Sequence, residues 1–198
     1  MDIKAKKGGY IETLLRSAKT VFSTKDIALL WREAGSNAMR VRLNKYAKAG
    51  KLIRVRRGIY AKDENYDRFE MATRIYTPCY VSFETVLTRA GINFQYYETI
   101  FVASYVKREI NVDGQTIAFE RLRKFILTDA SGVEHERGYA IATKERAFLD
   151  RIYVSKDYHF DHLDILDWDK VFAILPIYQS KRMKQKVQEY FEYYKNNA

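Results

Sequence analysis

Ser36-Asn-Ala-Met-Arg40-Val-Arg-Leu-Asn-Lys45-Tyr-Ala-Lys-Ala-Gly50-Lys-Leu-Ile-Arg-Val-Arg-Arg-Gly-Ile-Tyr60-Ala61 is the stretch that decides the fold. Ser36 has the hydroxyl that an N-cap needs. Met39, Leu43 and Tyr46 then recur at helical spacing and mark an inward face. Gly50 stands where a C′ glycine ends a helix. Leu52, Ile53 and Val55 read as a short strand, Arg56-Arg57-Gly58 as a tight turn, and Ile59-Tyr60-Ala61 as the returning strand. Upstream, Gly8-Gly9 precedes an amphipathic run over residues 10–18, with Tyr10, Leu14 and Leu15 on one face. Ser23 or Thr24 caps a second helix over residues 24–33, with Asp26 in its first turn and Ile27, Leu30 and Trp31 as its apolar stripe. Ala34-Gly35 is the turn into the third helix. Helices followed by a basic hairpin predict a winged helix-turn-helix.

That geometry carries a chemistry. An α-helix fits the major groove of B-DNA, and its N-terminal outward side chains meet base edges. Here those are Ser36, Asn37, Arg40 and Asn44, with Val41 beside them. Arginine can bind guanine through two hydrogen bonds, and asparagine can do the same with adenine. Lys45, Lys48 and Lys51 suit phosphates, which position without specifying sequence. Arg54 on the wing strand and Arg56 and Arg57 at its tip can flank a minor groove.

The charge distribution agrees. Residues 1–62 hold 16 Lys and Arg against 4 Asp and Glu, while residues 63–198 hold 19 against 21. The whole excess behind the net charge of +10 therefore lies in the first third. Such asymmetry points to a polyanion-binding module, residues 1–62, joined to a near-neutral one, residues 63–198. The chain of 198 residues is 47% hydrophobic, enough for a core in each part. Sixteen Tyr and eleven Phe argue against disorder. No apolar stretch is long enough to span a membrane, and no secretory leader is expected, so the expected location is cytoplasmic. One cysteine, Cys79, excludes an internal disulfide and reads as a small buried hydrophobe.

In the second part, residues 66–76 read as a helix with Phe69, Ala72, Ile75 and Tyr76 on one face, ended by Thr77-Pro78. Ser82 is expected to cap a helix bearing Phe83, Val86, Leu87 and Ala90. Residues 99–106 read as a strand. Asp113-Gly114 between two alternating runs signals a type I′ hairpin. Two further strands, residues 125–128 and 138–141, are expected around Asp129-Ala-Ser-Gly132. Thr143, Asp167 and Ser180 start three closing helices. The fold class is α+β: the winged helix, then a mixed α+β domain with an antiparallel sheet and a C-terminal helix.

Few motifs for chemistry stand out here. Neither a phosphate-binding glycine loop nor a GxSxG elbow is present. His159, Asp161, His162 and Asp164 cluster without zinc-ligand spacing and read as a polar loop, and His135 as an exposed turn. No metal and no cofactor are expected. Lys144, Glu145, Arg146 and Asp150 crowd one helix, and Arg146 with Asp150 reads first as surface support at i, i+4. A partner-facing or domain-bracing role is the second reading of that helix.

Three segments resemble a known family: Gly50-Lys-Leu-Ile-Arg-Val-Arg-Arg-Gly-Ile-Tyr60, Tyr80-Val-Ser-Phe-Glu-Thr-Val-Leu, and Ala142-Thr-Lys-Glu-Arg-Ala-Phe-Leu-Asp150. In order and spacing they are similar to the AbiEi-type antitoxins of type IV toxin–antitoxin (abortive-infection) systems. Lys144 stands where that family commonly has Pro, and Phe148 where it often has Leu. The resemblance implies a non-enzymatic protein with two roles. The first domain would bind repeats in its own promoter, as double-stranded DNA, and repress the operon. The second would counter a nucleotidyltransferase-type toxin without a stable complex. Lys144, Glu145, Arg146 and Asp150 are then the candidates for antitoxin function. Inverted repeats match two copies of a protein, though no dimer interface is legible. Two alternatives stand beside this. One is a ligand-responsive winged-helix transcription factor outside toxin–antitoxin systems, with Phe83, Phe94, Tyr96, Tyr97, Phe101 and Tyr105 lining a pocket. The other is a metal-dependent enzyme using His159, Asp161 and His162.

Overall fold

The computed structural model describes residues 9–33 and 35–197; Gly8 and Ala34, named above, lie outside them. The chain divides into two compact units, Met1–Ile75 and Tyr76–Ala198. The first unit runs α1 (Tyr10–Arg16), β1 (Val21–Ser23), α2 (Thr24–Trp31), α3 (Asn37–Lys48), β2 (Ile53–Arg56), β3 (Ile59–Ala61) and α4 (Arg68–Ile75). Its sheet has the order β1-β3-β2 and is antiparallel throughout. This is the expected winged helix, with one added strand, β1.

Local chemistry explains the helix starts. Ser23 caps α2 in a reciprocal box: its hydroxyl accepts from the Asp26 N–H, and the Asp26 carboxylate accepts from the Ser23 N–H at 2.9 Å. Burial pushes the Asp26 carboxyl up, but the hydrogen bonds from Ser23 and Lys19 outweigh it and hold it below its usual value. Ser36 caps α3 through the Met39 N–H at 3.1 Å. The core joins Leu14, Phe22, Ile27, Trp31, Met39, Leu43, Leu52 and Tyr60. Each such side chain contributes on the order of 1.5–3 kcal/mol by leaving water. Two expected core members are outside: Leu15 is half exposed, and Leu30 faces solvent while Ile27 and Trp31 carry the stripe.

The first unit reaches Ile75, past residue 62, where the sequence reading ends the winged helix. The cause is Glu70. Its carboxylate lies buried in the first unit and accepts from Thr20 N and Thr20 Oγ1, both at 2.8 Å, and from Val21 N at 3.2 Å. Charge-assisted bonds to backbone amides of β1 tie α4 to the sheet. Of the expected face Phe69, Ala72, Ile75 and Tyr76, Ala72 is buried and the other three are half-buried, while Glu70, Met71 and Thr73 are buried with it.

The second unit contains β4 (Cys79–Val81), α5 (Glu84–Arg89), β5 (Ile100–Ser104), β6 (Arg108–Val112), β7 (Gln115–Arg121), α6 (Lys124–Leu127), β8 (Val133–Glu136), β9 (Tyr139–Ala142), α7 (Lys144–Val154), α8 (Trp168–Ile174), a 3-10 turn (Leu175–Tyr178) and α9 (Lys181–Asn197). Its six-stranded sheet has the order β6-β7-β5-β4-β9-β8. Antiparallel pairs are joined by two parallel ones, β4 with β9 and β5 with β7. The β6–β7 turn has Asp113 at φ 52° and Gly114 at φ 77°, the two positive angles of a type I′ turn. Three local expectations are corrected. Residues 124–127 form α6, not a strand, and His135 sits in strand β8 rather than in a turn. Ser82 does not cap α5, whose N-cap is Phe83 without a side-chain bond.

Candidate nucleic-acid interface

The outward face of α3 and the wing meet in one concavity of about 430 Å³, lined by Thr24, Arg40, Asn44, Arg54, Arg57, Gly58 and Tyr60. Arg40 and Asn44 are one helical turn apart on α3, which puts them side by side. Arg54 comes from β2 and Arg57 from the turn after it. The Thr24 N–H donates to the Gly58 carbonyl at 2.9 Å, which holds the start of α2 against the wing turn. Among the described residues, no ion pair holds Arg40, Lys45, Lys48, Arg54, Arg56 or Arg57. Uncompensated guanidinium charge in a shared concavity attracts an anion.

The other sequence candidates divide. Asn37, Lys45 and Lys48 are exposed on α3 outside this concavity, as is Val41 at 47%. Arg56 is half buried. Ser36 is engaged twice: it accepts from Met39 N and donates to Glu33 Oε1 at 2.8 Å.

Sequence reasoning missed the clamp that orients α3. Arg42 Nη1 meets Glu33 Oε2 at 2.7 Å, and its guanidinium lies 3.9 Å from the Tyr10 ring centroid and 5.5 Å from that of Trp31. The Trp31 indole N–H donates to the Tyr10 carbonyl at 2.8 Å. Glu33 therefore holds the capping serine and the middle of α3 at once. Hydrogen bonds from Ser36 and Arg42 hold its carboxyl below its usual value. A group with a depressed folded pKa stabilises above its unfolded pKa and ceases to do so as pH falls through the folded one. Arg42→Ala is thus expected to lower the melting temperature by about 2–4 °C at neutral pH, from roughly 1 kcal/mol of pairing and cation–π contact. The ion-pair share of that difference fades below the carboxylate range, where calorimetry at pH 3 and pH 7 would detect it. A difference that stays constant between the two pH values would contradict the role of Glu33.

In the second unit, Lys144, Glu145, Arg146 and Asp150 all fall on α7, but the surface-support reading of Arg146 and Asp150 is corrected. Both are fully buried. Arg146 Nε lies 3.3 Å from Asp150 Oδ1 and 3.2 Å from Tyr80 Oη; Nη2 donates to Tyr80 Oη at 3.0 Å and to the Ile126 carbonyl at 2.7 Å; Nη1 donates to the Ser131 carbonyl at 2.7 Å. Asp150 accepts in addition from Tyr80 and Ser82 on Oδ2, at 2.9 and 2.8 Å, and from Tyr178 on Oδ1 at 2.7 Å. The Tyr80 and Ala142 segments singled out in the sequence thus meet as one buried polar network. Burial raises the Asp150 carboxyl above its usual value, although Arg146 and the three hydroxyls pull it down. Glu145 is buried and accepts from Asp167 N at 3.3 Å; Lys144 is partly exposed and donates to the Ile165 carbonyl at 2.5 Å.

Of the remaining candidates, Asp161, His162 and Asp164 line one surface pocket with Tyr193 and Tyr194. No metal-holding group of His, Cys, Asp and Glu occurs among the described residues. His159 and His162 sit near Asp161 and Asp164, at 3.4 and 3.3 Å respectively. The six aromatics considered for a ligand pocket do not line a common one: Phe83 is buried, Phe94 and Tyr96 are mostly exposed, and Tyr97 packs edge to face on Phe101. No helix among the described residues is long and apolar enough to cross a membrane.

A search of curated proteins finds no match. Residues 10–61 match the family model described as "Transcriptional regulator, AbiEi antitoxin". The matched stretch holds α1 to β3, and so both α3 and the wing hairpin. Across its winged helix the chain is similar to the AbiEi antitoxin transcriptional regulators.

Proposed function

We propose that this chain is a sequence-specific DNA-binding autorepressor and the antitoxin of a type IV toxin–antitoxin system. The observation that carries the reading is the unpaired basic concavity shared by α3 and the wing, inside the segment that matches a family of antitoxin regulators. Its DNA partner is the promoter of its own operon, read as inverted repeats by two copies of the chain. Its functional partner is a nucleotidyltransferase-type toxin, opposed without a stable complex. For that second activity Lys144 offers the accessible side chain, while Glu145, Arg146 and Asp150 hold α7 in place.

The test is fluorescence anisotropy with a duplex from upstream of the gene, a scrambled duplex of equal length, and two salt concentrations. A preference for the upstream duplex of about 10³ or more is expected of a specific repressor. Equal, steeply salt-dependent binding to both would leave only counterion release from a basic surface and would remove the repressor reading. Co-expression with a nucleotidyltransferase-type toxin from the same operon, where one is found, tests the antitoxin role: growth is restored by the chain, and a lack of rescue overturns that half.

A further inference from the structure

Two groups stand out among the basic residues of the first unit. Lys19, Arg42 and Arg74 are paired with carboxylates and serve the fold. Arg40, Arg54 and Arg57 have no ion pair among the described residues and open onto the same concavity. We propose that this concavity seats one backbone phosphate of the DNA, so that Arg40 clasps the phosphodiester together with Arg54 and Arg57 instead of reading a base. The proposal rests on the DNA-binding reading above and assigns the division of labour within it.

Three observations lead there. First, three guanidiniums, from α3, β2 and the wing turn, share one space, and a guanidinium is charged at any pH a protein tolerates. A base edge offers each arginine a flat pair of acceptors, whereas a phosphate offers several oxygens around one centre and can take donors from several directions. Second, Thr24, the first residue of α2, lines the same concavity and is held against the wing turn by its N–H bond to the Gly58 carbonyl. The Thr24 hydroxyl can donate to an oxyanion. Third, α3 has a separate exposed line next to Arg40 and Asn44. Asn37, Val41 and Lys45 follow one another at i, i+4 and i+8, and none lines the concavity. Val41 is 47% exposed, an apolar side chain on a polar face, and its methyls match the C5 methyl of thymine. Sequence discrimination therefore passes to Asn37 and Val41, and the arginines set the register from which they read.

The experiment uses the full chain, the upstream duplex and a set of duplexes with one phosphate at a time replaced by a neutral methylphosphonate. One position per half-site is expected at which neutralisation weakens wild-type binding about tenfold, a loss shrinking to about twofold or less in Arg57→Ala and in Arg40→Ala. Arg40→Ala should lose affinity about equally on upstream and scrambled DNA and reduce the salt slope by about 1, while Asn37→Ala relaxes base preference. Unchanged melting temperatures in these exposed-residue variants show that the fold is intact. The proposal is overturned if Arg40→Ala relaxes the preference at one base pair and leaves every methylphosphonate effect as in wild type. Should wild type not prefer the upstream duplex, the repressor reading fails. The salt slope on scrambled DNA, reduced by about 1 in Arg40→Ala, still decides the phosphate seat, and an unchanged slope or an absence of any DNA binding overturns it.

Discussion

Arg146→Ala is expected to destabilise the second unit by about 3–5 kcal/mol, the cost of removing one partner of a buried ion pair. The guanidinium is fully buried and ties β4, through Tyr80, to the carbonyls of Ile126 and Ser131 and to Asp150 on its own helix. Without it, Asp150 keeps three hydroxyl donors and no counter-charge. Burial already holds the Asp150 carboxyl above its usual value with Arg146 present, so the variant would raise it further. An acid with a raised folded pKa binds its proton more tightly when folded. The variant is therefore closest to wild type at acid pH and falls behind as pH rises through that folded pKa. Urea unfolding followed by circular dichroism at pH 5 and pH 8 reads both the size and the slope. The double variant Arg146→Ala/Asp150→Asn should recover the pH-dependent part. A loss below about 1 kcal/mol, as for an exposed pair, would contradict the assignment.

That pair shows where the sequence was legible and where it was not. Elements specified by near neighbours were read correctly: the Ser36 cap, the Asp113-Gly114 turn, and the Thr143 and Asp167 caps all act within four residues. The winged helix belongs to this class, because its turn, glycine and hairpin follow one another along the chain. An i, i+4 Arg–Asp pair looks the same on a surface as in a core. Only the tertiary packing of α5, α8, α9 and β9 around α7, elements drawn from across the second unit, buries Glu145 to Asp150 without interruption. Ser82 was read as a cap for the same reason: its partner, Asp150, is 68 residues away. Phe125-Ile-Leu127, at the heart of the expected 125–128 strand, is a short apolar run whose period cannot separate helix from strand. Among the candidate DNA contacts, the residue types of α3 and the wing were legible. The grouping of Arg40 with Arg54 and Arg57 was not, since it depends on how the hairpin folds back beside the helix.

Gly132→Ala should cost nearly as much as losing Arg146, for reasons that a turn-forming glycine does not usually have. Its φ is +69°, where an alanine would be strained by about 1–2 kcal/mol. A Cβ at this position would also lie 2.7 Å from Ile174 Cδ1, 2.9 Å from Arg146 Cβ and 3.2 Å from Thr143 Oγ1. The isoleucine methyl can swing aside, but the Arg146 Cβ is fixed by the backbone of α7, and Thr143 is its N-cap. The Gly132 carbonyl accepts from Thr143 N at 2.8 Å, so the two backbones cannot separate without losing that bond. Overpacking of this kind adds about 1–3 kcal/mol, for a total of roughly 2–5 kcal/mol. Gly114→Ala is the control: it has φ +77° and nothing within 4 Å of the added carbon, so it should cost only the strain. If the two variants unfold at the same urea concentration, the close approach of residue 132 to α7 is not what fixes the start of that helix. If Gly132→Ala is the less stable by 1 kcal/mol or more, as the overpacking range requires, the glycine is there to let the α7 N-terminus seat Arg146 beneath it.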